Sequence, residues 1–246
     1  MKKERGEQTN TDIPSEDREL EFLLYRSHGE RCPYLPNREW VTHWFAARRI
    51  HPAFYEQLIS QGFRRSGIMF YQNHCPGCMA CQPIRVDVQR FHPSKSQRRV
   101  LRKNRDVTIT RQPVTFEVKD FLLYRNYCEQ RHSSSPDPEG YAHFLVISPV
   151  PTDIMRYYVD GRLAGLGWID ILPHSLSSVY FSFTPTYSSR SLGTFSILKQ
   201  IELCHDLGKD WLQLGFWVQA CQNMTYKSRF KPCQILVDGV WQNLDA

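Results

Sequence analysis

What this sequence lacks narrows it first. Across its 246 residues no apolar run approaches the length that crosses a bilayer. The first twenty residues are charged and polar with no apolar segment, so no secretory leader is expected. Acids are scarce in one place: residues 64–106 hold ten Lys/Arg but only Asp87 and Asp106 to offset them. A solvated helix face over Lys95–Arg105 is the common alternative, but the scarcity of offsetting acids favours a surface suited to a polyanion, a nucleic acid above all. No His–Asn or His–Asp arrangement is marked out around a cysteine, which disfavours a thiol nucleophile.

Eight cysteines are present, and three of them, Cys75, Cys78 and Cys81, share the spacing C-x2-C-x2-C, with Cys32 about forty residues earlier. Nothing marks the chain as secreted, so reduced thiols in the cytoplasm are the better expectation than disulfides. Four thiolates suffice for tetrahedral zinc or an iron–sulfur cluster. The bland alternative is four small apolar core residues. Three thiols on one tight turn have little packing rationale, which favours ligation.

Charge divides the chain. Residues 1–110 carry 19 Lys/Arg against 12 Asp/Glu, while the rest carry 12 against 13. A polar tail over 1–18, a basic cysteine-bearing unit over 19–105 and a near-neutral unit over 106–246 are expected. In the first unit the pattern predicts a strand over Leu20–Tyr25, helices over Glu39–Arg49 and Pro52–Gln61, and strands over Ile68–Tyr71 and Ile84–Val88. Ser94 then reads as the N-cap of a basic helix, Lys95–Lys103.

The second unit reads as a strand over Val107–Thr110 and helices over Phe116–His132 and Tyr141–Ile147. Three antiparallel strands follow, Ile154–Val159, Leu163–Ile171 and Ser178–Phe183, the first two joined by Asp160-Gly161. A helix over Leu192–Leu207, a strand over Trp211–Val218, a short helix over Met224–Phe230 and a strand over Ile235–Val240 complete it. This order resembles the N-acetyltransferase-like (GNAT) fold, so an α+β protein with a mixed sheet flanked by helices is expected.

Two stretches could carry chemistry there. Arg190-x-x-Gly193 precedes a helix, where the backbone N–H groups of Leu192, Gly193 and Thr194 would face an anion. Acetyltransferases hold the coenzyme A pyrophosphate at such a loop, but Phe195 stands where they keep a small residue, which argues against coenzyme A. Tyr226 and Lys227 lie on the same edge and could hold a phosphate or the acyl ester; read alone, they are better explained by a core aromatic and a surface charge.

Several segments together resemble one family: CPYLPNRE (32–39), GFRRSG (62–67), HCPGCMACQPIRVDV (74–88), FHPSKSQRRVLRKN (91–104), LSSVYFSFTPTYSSRSLGTFSILKQIEL (176–203) and LGFWVQACQNMTYKSRFKP (214–232). They are similar to the aminoacyl-tRNA–protein transferases of the arginyltransferase type, and more narrowly to bacterial aspartate/glutamate leucyltransferases. The resemblance implies transfer of leucine from leucyl-tRNA to the α-amino group of proteins beginning with Asp or Glu, marking them for degradation.

It also implies roles for residues. Arg98, Arg99, Arg102 and Lys103 would track the tRNA backbone. Arg190, Leu192, Gly193 and Thr194, with Tyr226 and Lys227, would hold its aminoacyl end. Arg64, Arg65 or Arg85 would receive the acceptor's carboxylate, and Tyr180 is a candidate for proton transfer. Cys32, Cys75, Cys78 and Cys81 would hold a structural metal, with no cofactor needed for the chemistry. Thr186 and Asn223 depart from the family's usual Asp and Lys, which keeps arginine open as the donated residue. A metal-dependent RNA-binding protein without activity is the remaining alternative. A monomer with no membrane partner is expected.

Overall fold

The computed structural model describes residues 23–244. The expected tail, and the first residues of the strand expected over Leu20–Tyr25, lie outside them. Short strands β1 (Tyr25–Arg26), β2 (Glu30–Arg31), β3 (Glu39–Trp40) and β4 (Thr42–Ala46) precede helix α1 (Pro52–Ser60) and strands β5 (Arg64–Ser66) and β6 (Met69–Asn73). Strands β1-β4-β6-β5 form a small antiparallel sheet, and β2 pairs with β3. The helix expected over Glu39–Arg49 is therefore corrected to strands. Trp40, Val41, Thr42, Trp44 and Phe45 favour a pleated surface, and β4 pairs along its whole length with β6.

Strand β7 (Gln82–Asp87) leaves the cysteine turn, and α2 (Lys95–Lys103) follows. Ser94 caps α2 as expected: Gln97 N–H donates to Ser94 Oγ (3.3 Å), and Ser94 N–H donates to Gln97 Oε1 (2.8 Å). This reciprocal box satisfies two backbone donors at once. The chain continues through β8 (Thr108–Pro113), α3 (Val118–His132), one α-turn, α4 (Pro138–Tyr141), and a π-turn over Ala142–Val146. The helix expected over Tyr141–Ile147 is present, in the wider π form over Ala142–Val146 and preceded by α4.

Then come β9 (Thr152–Val159), β10 (Arg162–Ile171), β11 (Ser175–Phe183), α5 (Leu192–Asp206), β12 (Trp211–Trp217), a 3-10 turn over Thr225–Arg229, β13 (Cys233–Val237) and β14 (Val240–Asn243). The single strand expected over Ile235–Val240 is a hairpin. Asp238 (φ 50°) and Gly239 (φ 78°) make its two-residue turn, as Asp160 and Gly161 do between β9 and β10.

Eight strands form one mixed sheet in the order β14-β13-β7-β12-β11-β10-β9-β8. Strand β7, from the cysteine-bearing half, runs antiparallel between β12 and β13. Alternation along β9 and β10 sends Met155, Tyr157 and Ile169 to a core shared with α5 and with Val100 and Leu101 of α2. It sends Ile154, Leu166 and Trp168 to a second core under α3. Helices thus cover both faces, and each large side chain fully buried there contributes about 1.5–3 kcal/mol. A third core joins the small sheet and α1 to Val150 and Leu172.

Two buried ion pairs fix these layers. Asp120 on α3 takes Arg156 of β9, with Nε–Oδ1 at 3.0 Å and Nη2–Oδ2 at 2.6 Å. Arg65 of β5 takes Asp170 of β10 (Nε–Oδ2 2.8 Å), and Thr152 Oγ1 donates to the same carboxylate at 2.6 Å. The small sheet also meets the π-turn that precedes β9. A Cβ on Gly67 (φ 57°) would lie 2.2 Å from the His143 carbonyl oxygen, so only glycine lets the β5–β6 turn approach the π-turn so closely.

Candidate active site

The large sheet contains one parallel pair, and it comes apart. Strands β11 and β12 are in register only at Ser175–Ser177 with Trp211–Gln213, although β11 runs on to Phe183 and β12 to Trp217. Past Ser177 the strands part, and their backbone carbonyls lose each other as partners. Two cations from elsewhere take them up. Arg64 Nη2 donates to the Ser178 carbonyl at 3.0 Å, and Lys227 Nζ donates to the Phe216 carbonyl at 2.6 Å.

Local sequence makes this possible. Gly215 (φ 77°) sits at an irregularity in the β12–β7 pairing, and a Cβ there would reach to within 3.5–3.7 Å of the Arg64 guanidinium. The backbone conformation suits glycine, while a Cβ there would make only ordinary contact with Arg64. Arg64 arrives from the edge of the small sheet and is buried. Lys227 arrives from the 3-10 turn that follows β12. Among the described residues neither side chain has a carboxylate partner within ion-pair distance. Burial and the Arg64 charge lower the Lys227 ammonium to about 7, with the nearby Cys221 thiol acting the other way.

The expected acceptor-binding arginines therefore separate. Arg64 stands at the parted strands, on the Ser178 carbonyl and beside Gly215. Arg65 is committed to Asp170 and Thr152, so its guanidinium is not free for a ligand. Arg85 is held between the rings of Trp211 (3.7 Å) and Trp241 (4.1 Å) and bonds Gln234 at 3.0 and 2.8 Å, and burial lowers it to about 10. Of the three, only Arg64 has its guanidinium at the parted strands.

The expected tRNA-binding residues come together. Arg98, Arg99, Arg102 and Lys103 are exposed on α2. The end of that helix is stitched to the loop before α5: Lys103 Nζ donates to the Ser189 carbonyl (2.6 Å), and Asn104 Nδ2 to the Arg190 carbonyl (2.8 Å). Arg190 makes a two-pronged pair with Asp106. Leu192 is buried, while Gly193 and Thr194 open the first turn of α5, whose N-cap Ser191 (φ 55°) makes no side-chain cap bond. Phe195 is corrected as an obstruction: its ring lies in the core against Tyr157 (6.1 Å between centroids), away from the backbone donors.

Tyr180 belongs to an aromatic cluster with Tyr124, Phe144 and Trp168, at 5.4–6.3 Å between centroids. Burial raises its phenol above the ordinary value, so at neutral pH it stays protonated and cannot start as a base. Tyr226 is 37% exposed. Thr186 and Asn223, the two departures from the family pattern, are also exposed.

Cys32, Cys75, Cys78 and Cys81 line one cavity of about 860 Å³, together with Phe216, whose carbonyl holds Lys227. Burial and the three neighbouring thiols push Cys81 up to about 12. Among the described residues no three His, Cys, Asp or Glu side chains converge closely enough to hold a metal ion as they stand. Sequence reasoning missed Asp106, Asp170 and Thr152 as partners of the named arginines. No local signal could have found Asp170, which is 105 residues from Arg65.

A mixed sheet with helices on both faces and one parallel pair that parts defines an α+β fold, a class that many enzymes share. Comparison with known proteins narrows the class. The family described as "Arginine-tRNA-protein transferase, N terminus" matches residues 30–99, and its C-terminal counterpart matches residues 119–237. The aspartate/glutamate leucyltransferase of Marinobacter nauticus is 40% identical over 93% of this chain and 98% of its own. That of Aeromonas hydrophila is 40% identical over 88% and 92%. Among solved structures, the C-terminal domain of a putative lysylphosphatidylglycerol synthetase from Agrobacterium fabrum aligns over 81% of this chain and 65% of that chain, with a TM-score of 0.47 and 13% identity. The chain belongs to the aminoacyl-tRNA–protein transferase family, and it is an aminoacyltransferase.

Proposed function

We propose that this protein transfers leucine from leucyl-tRNA to the α-amino group of proteins whose first residue is Asp or Glu, giving products marked for degradation through the N-degron (N-end rule) pathway. The relatives' names favour leucine over arginine as the donated residue. One observation on this chain carries the acceptor half of the reading: Arg64 and Lys227 stand together at the parted strands without a carboxylate partner among the described residues. An acidic first residue supplies the missing anion, and a planar guanidinium can grip it with two hydrogen bonds.

The donor half rests on the junction of α2 with α5. Exposed Arg98, Arg99, Arg102 and Lys103 supply charge for the acceptor stem. The uncapped first turn of α5, at Leu192, Gly193 and Thr194, would receive the terminal phosphate or the developing oxyanion. Amine attack on an activated ester asks little chemistry of the protein, so holding the two ends together supplies much of the rate. A tRNA substrate puts the reaction in the cytoplasm. No helix among the described residues is long and apolar enough to cross a membrane.

The cysteine cavity has a structural role in this reading. Four thiols around one space are a donor set that suits zinc or an iron–sulfur cluster. Elemental analysis of the purified protein against Cys78→Ser tests it: one bound metal centre per chain, lost in the variant, supports the role, and none in either excludes it.

The activity is tested with radiolabelled leucine or arginine, each on its own tRNA, offered to peptides beginning Asp, Glu or Ala. Leucine on the Asp and Glu peptides, and not on Ala, is expected. Arginine instead would move the donor pocket, and transfer to Ala would remove Arg64 from acceptor recognition.

A further inference from the structure

The acceptor arrives with its α-amine mostly protonated, because an ordinary α-amino group titrates near ~8. An ammonium cannot attack an ester, so a proton must leave it, and a base in the cleft would let the protonated majority react. The neighbouring phenols are poor candidates, since Tyr71 and Tyr180 are both raised by burial. Among the described residues no carboxylate pairs with either cation of the cleft.

We propose that Lys227 is the general base of the transfer, holding its Nζ beside the acceptor's α-nitrogen while Arg64 holds the acceptor's side-chain carboxylate. The proposal rests on the transferase reading above and adds a role that this reading leaves unfilled. Its geometric ground is the position of Nζ, anchored by an N–H to the Phe216 carbonyl at the point where β12 has left β11. Arg64 anchors to the Ser178 carbonyl on the opposite strand. The two side chains thus reach the same opening from either side.

Electrostatics supports the role. The groups facing Lys227 are Arg64 from β5 and the Cys221 thiol from the loop after β12, with Tyr71 beside Arg64. Burial and the fixed Arg64 charge favour the neutral amine. An incoming N-terminal Asp or Glu brings both a carboxylate and an ammonium, so its effects on Lys227 largely offset each other. A neutral amine also keeps one lone pair free while an N–H stays on Phe216.

The α-ammonium passes one proton to Lys227 Nζ. The freed lone pair forms a C–N bond to the ester carbonyl carbon, and the C–O electron pair leaves on the ribose oxygen of the tRNA. The second proton of the attacking nitrogen goes to that oxygen, giving the ribose hydroxyl. Lys227 then returns its proton to solvent.

The test compares wild type with Lys227→Arg, which keeps a donor for Phe216 but cannot accept a proton. It measures steady-state transfer from leucyl-tRNA to an Asp-initiated peptide between pH 5.5 and 9. The variant should lose roughly 100-fold or more in kcat, the lower range for general-base catalysis, while the peptide KM moves less than about threefold. Its acidic limb should shift from about 7, as in wild type, to ~8, where the peptide's own amine titrates.

A second variant, Lys227→Ala, is checked for cooperative unfolding and then offered imidazole. Recovery of peptide leucylation supports the assignment. A variant that keeps the wild-type kcat and limb, or that changes only KM, overturns the base while leaving the transferase intact. No transfer by wild type, from leucyl-tRNA or arginyl-tRNA, overturns both.

Discussion

Arg190 and Asp106 face each other squarely, with both guanidinium–carboxylate distances at 2.9 Å. The carboxylate that neutralises Arg190 therefore sits on the very surface expected to meet the tRNA. The pair holds the Asp106 carboxyl below its ordinary range, so Asp106 is charged at any pH at which the enzyme works. Asp106→Asn should free Arg190 for phosphate, tightening tRNA binding and steepening its dependence on log salt by about 0.7–0.9. Arg99→Glu, on the exposed face of α2, should weaken binding and flatten the same plot. Filter binding over a salt series measures both, and unchanged slopes would take this surface off the tRNA path.

Arg64 allows a sharper separation of substrates. Arg64→Lys keeps a charge but loses the planar fork. Its KM for Asp- and Glu-initiated peptides should rise at least about tenfold, equivalent to roughly 1.4 kcal/mol, with affinity for uncharged tRNA unaltered. Steady-state kinetics beside tRNA binding reads the two effects apart. A loss of tRNA affinity instead would put Arg64 on the donor side.

Arg65 should behave differently from its neighbour. Its partner Asp170 is fully buried, and removing that carboxylate strands a cation inside the protein. Asp170→Ala should cost about 3–5 kcal/mol of stability in urea unfolding. Arg65→Met together with Asp170→Leu should recover much of it, because the uncompensated charge is then gone. If the double variant is as unstable as the single one, the pair does more than match charges.

Lys227 also leaves a signature in stability. Its folded-state value of about 7 lies below the ordinary 10.5 of the unfolded chain. Between those values the unfolded state binds the extra proton, so unfolding becomes harder as pH rises. Below about 7 both states are protonated and the penalty is present in full. The wild type should therefore gain stability relative to Lys227→Met from pH 7 to 10, and denaturant midpoints across that range measure it. A constant difference would mean that Lys227 is solvated and ordinary.

Much of the fold could be read from local pattern. Ser94 with Gln97 marks the start of α2, and Asp160-Gly161 marks the β9–β10 hairpin, since caps and tight turns are decided by residues a few positions apart. The same Asp-Gly signal at 238–239 was present, but the apolar run beside it suggested one strand. Residues 39–49 failed for a related reason: Ala46, Ala47 and two arginines suit a helix, and only pairing with β6 decides otherwise. The site was legible as residue types rather than as partners. Arg64, Arg65 and Arg85 look alike in sequence, and their fates are set by Ser178, Asp170 and Trp211, each more than a hundred positions away. The parting of β11 from β12 leaves no mark in either strand except Gly215.

Strand β7 lies between β12 and β13 in the large sheet. Its neighbours are made late in synthesis, while β7 itself leaves the ribosome early, with the small sheet. For most of the time the chain is being built, β7 has both edges open and no companions. The cleft that holds Arg64 and Lys227 cannot take shape until residues beyond 211 have emerged. A partly made chain already contains the basic helix, residues 95–103, well before the residues of the cleft have been added.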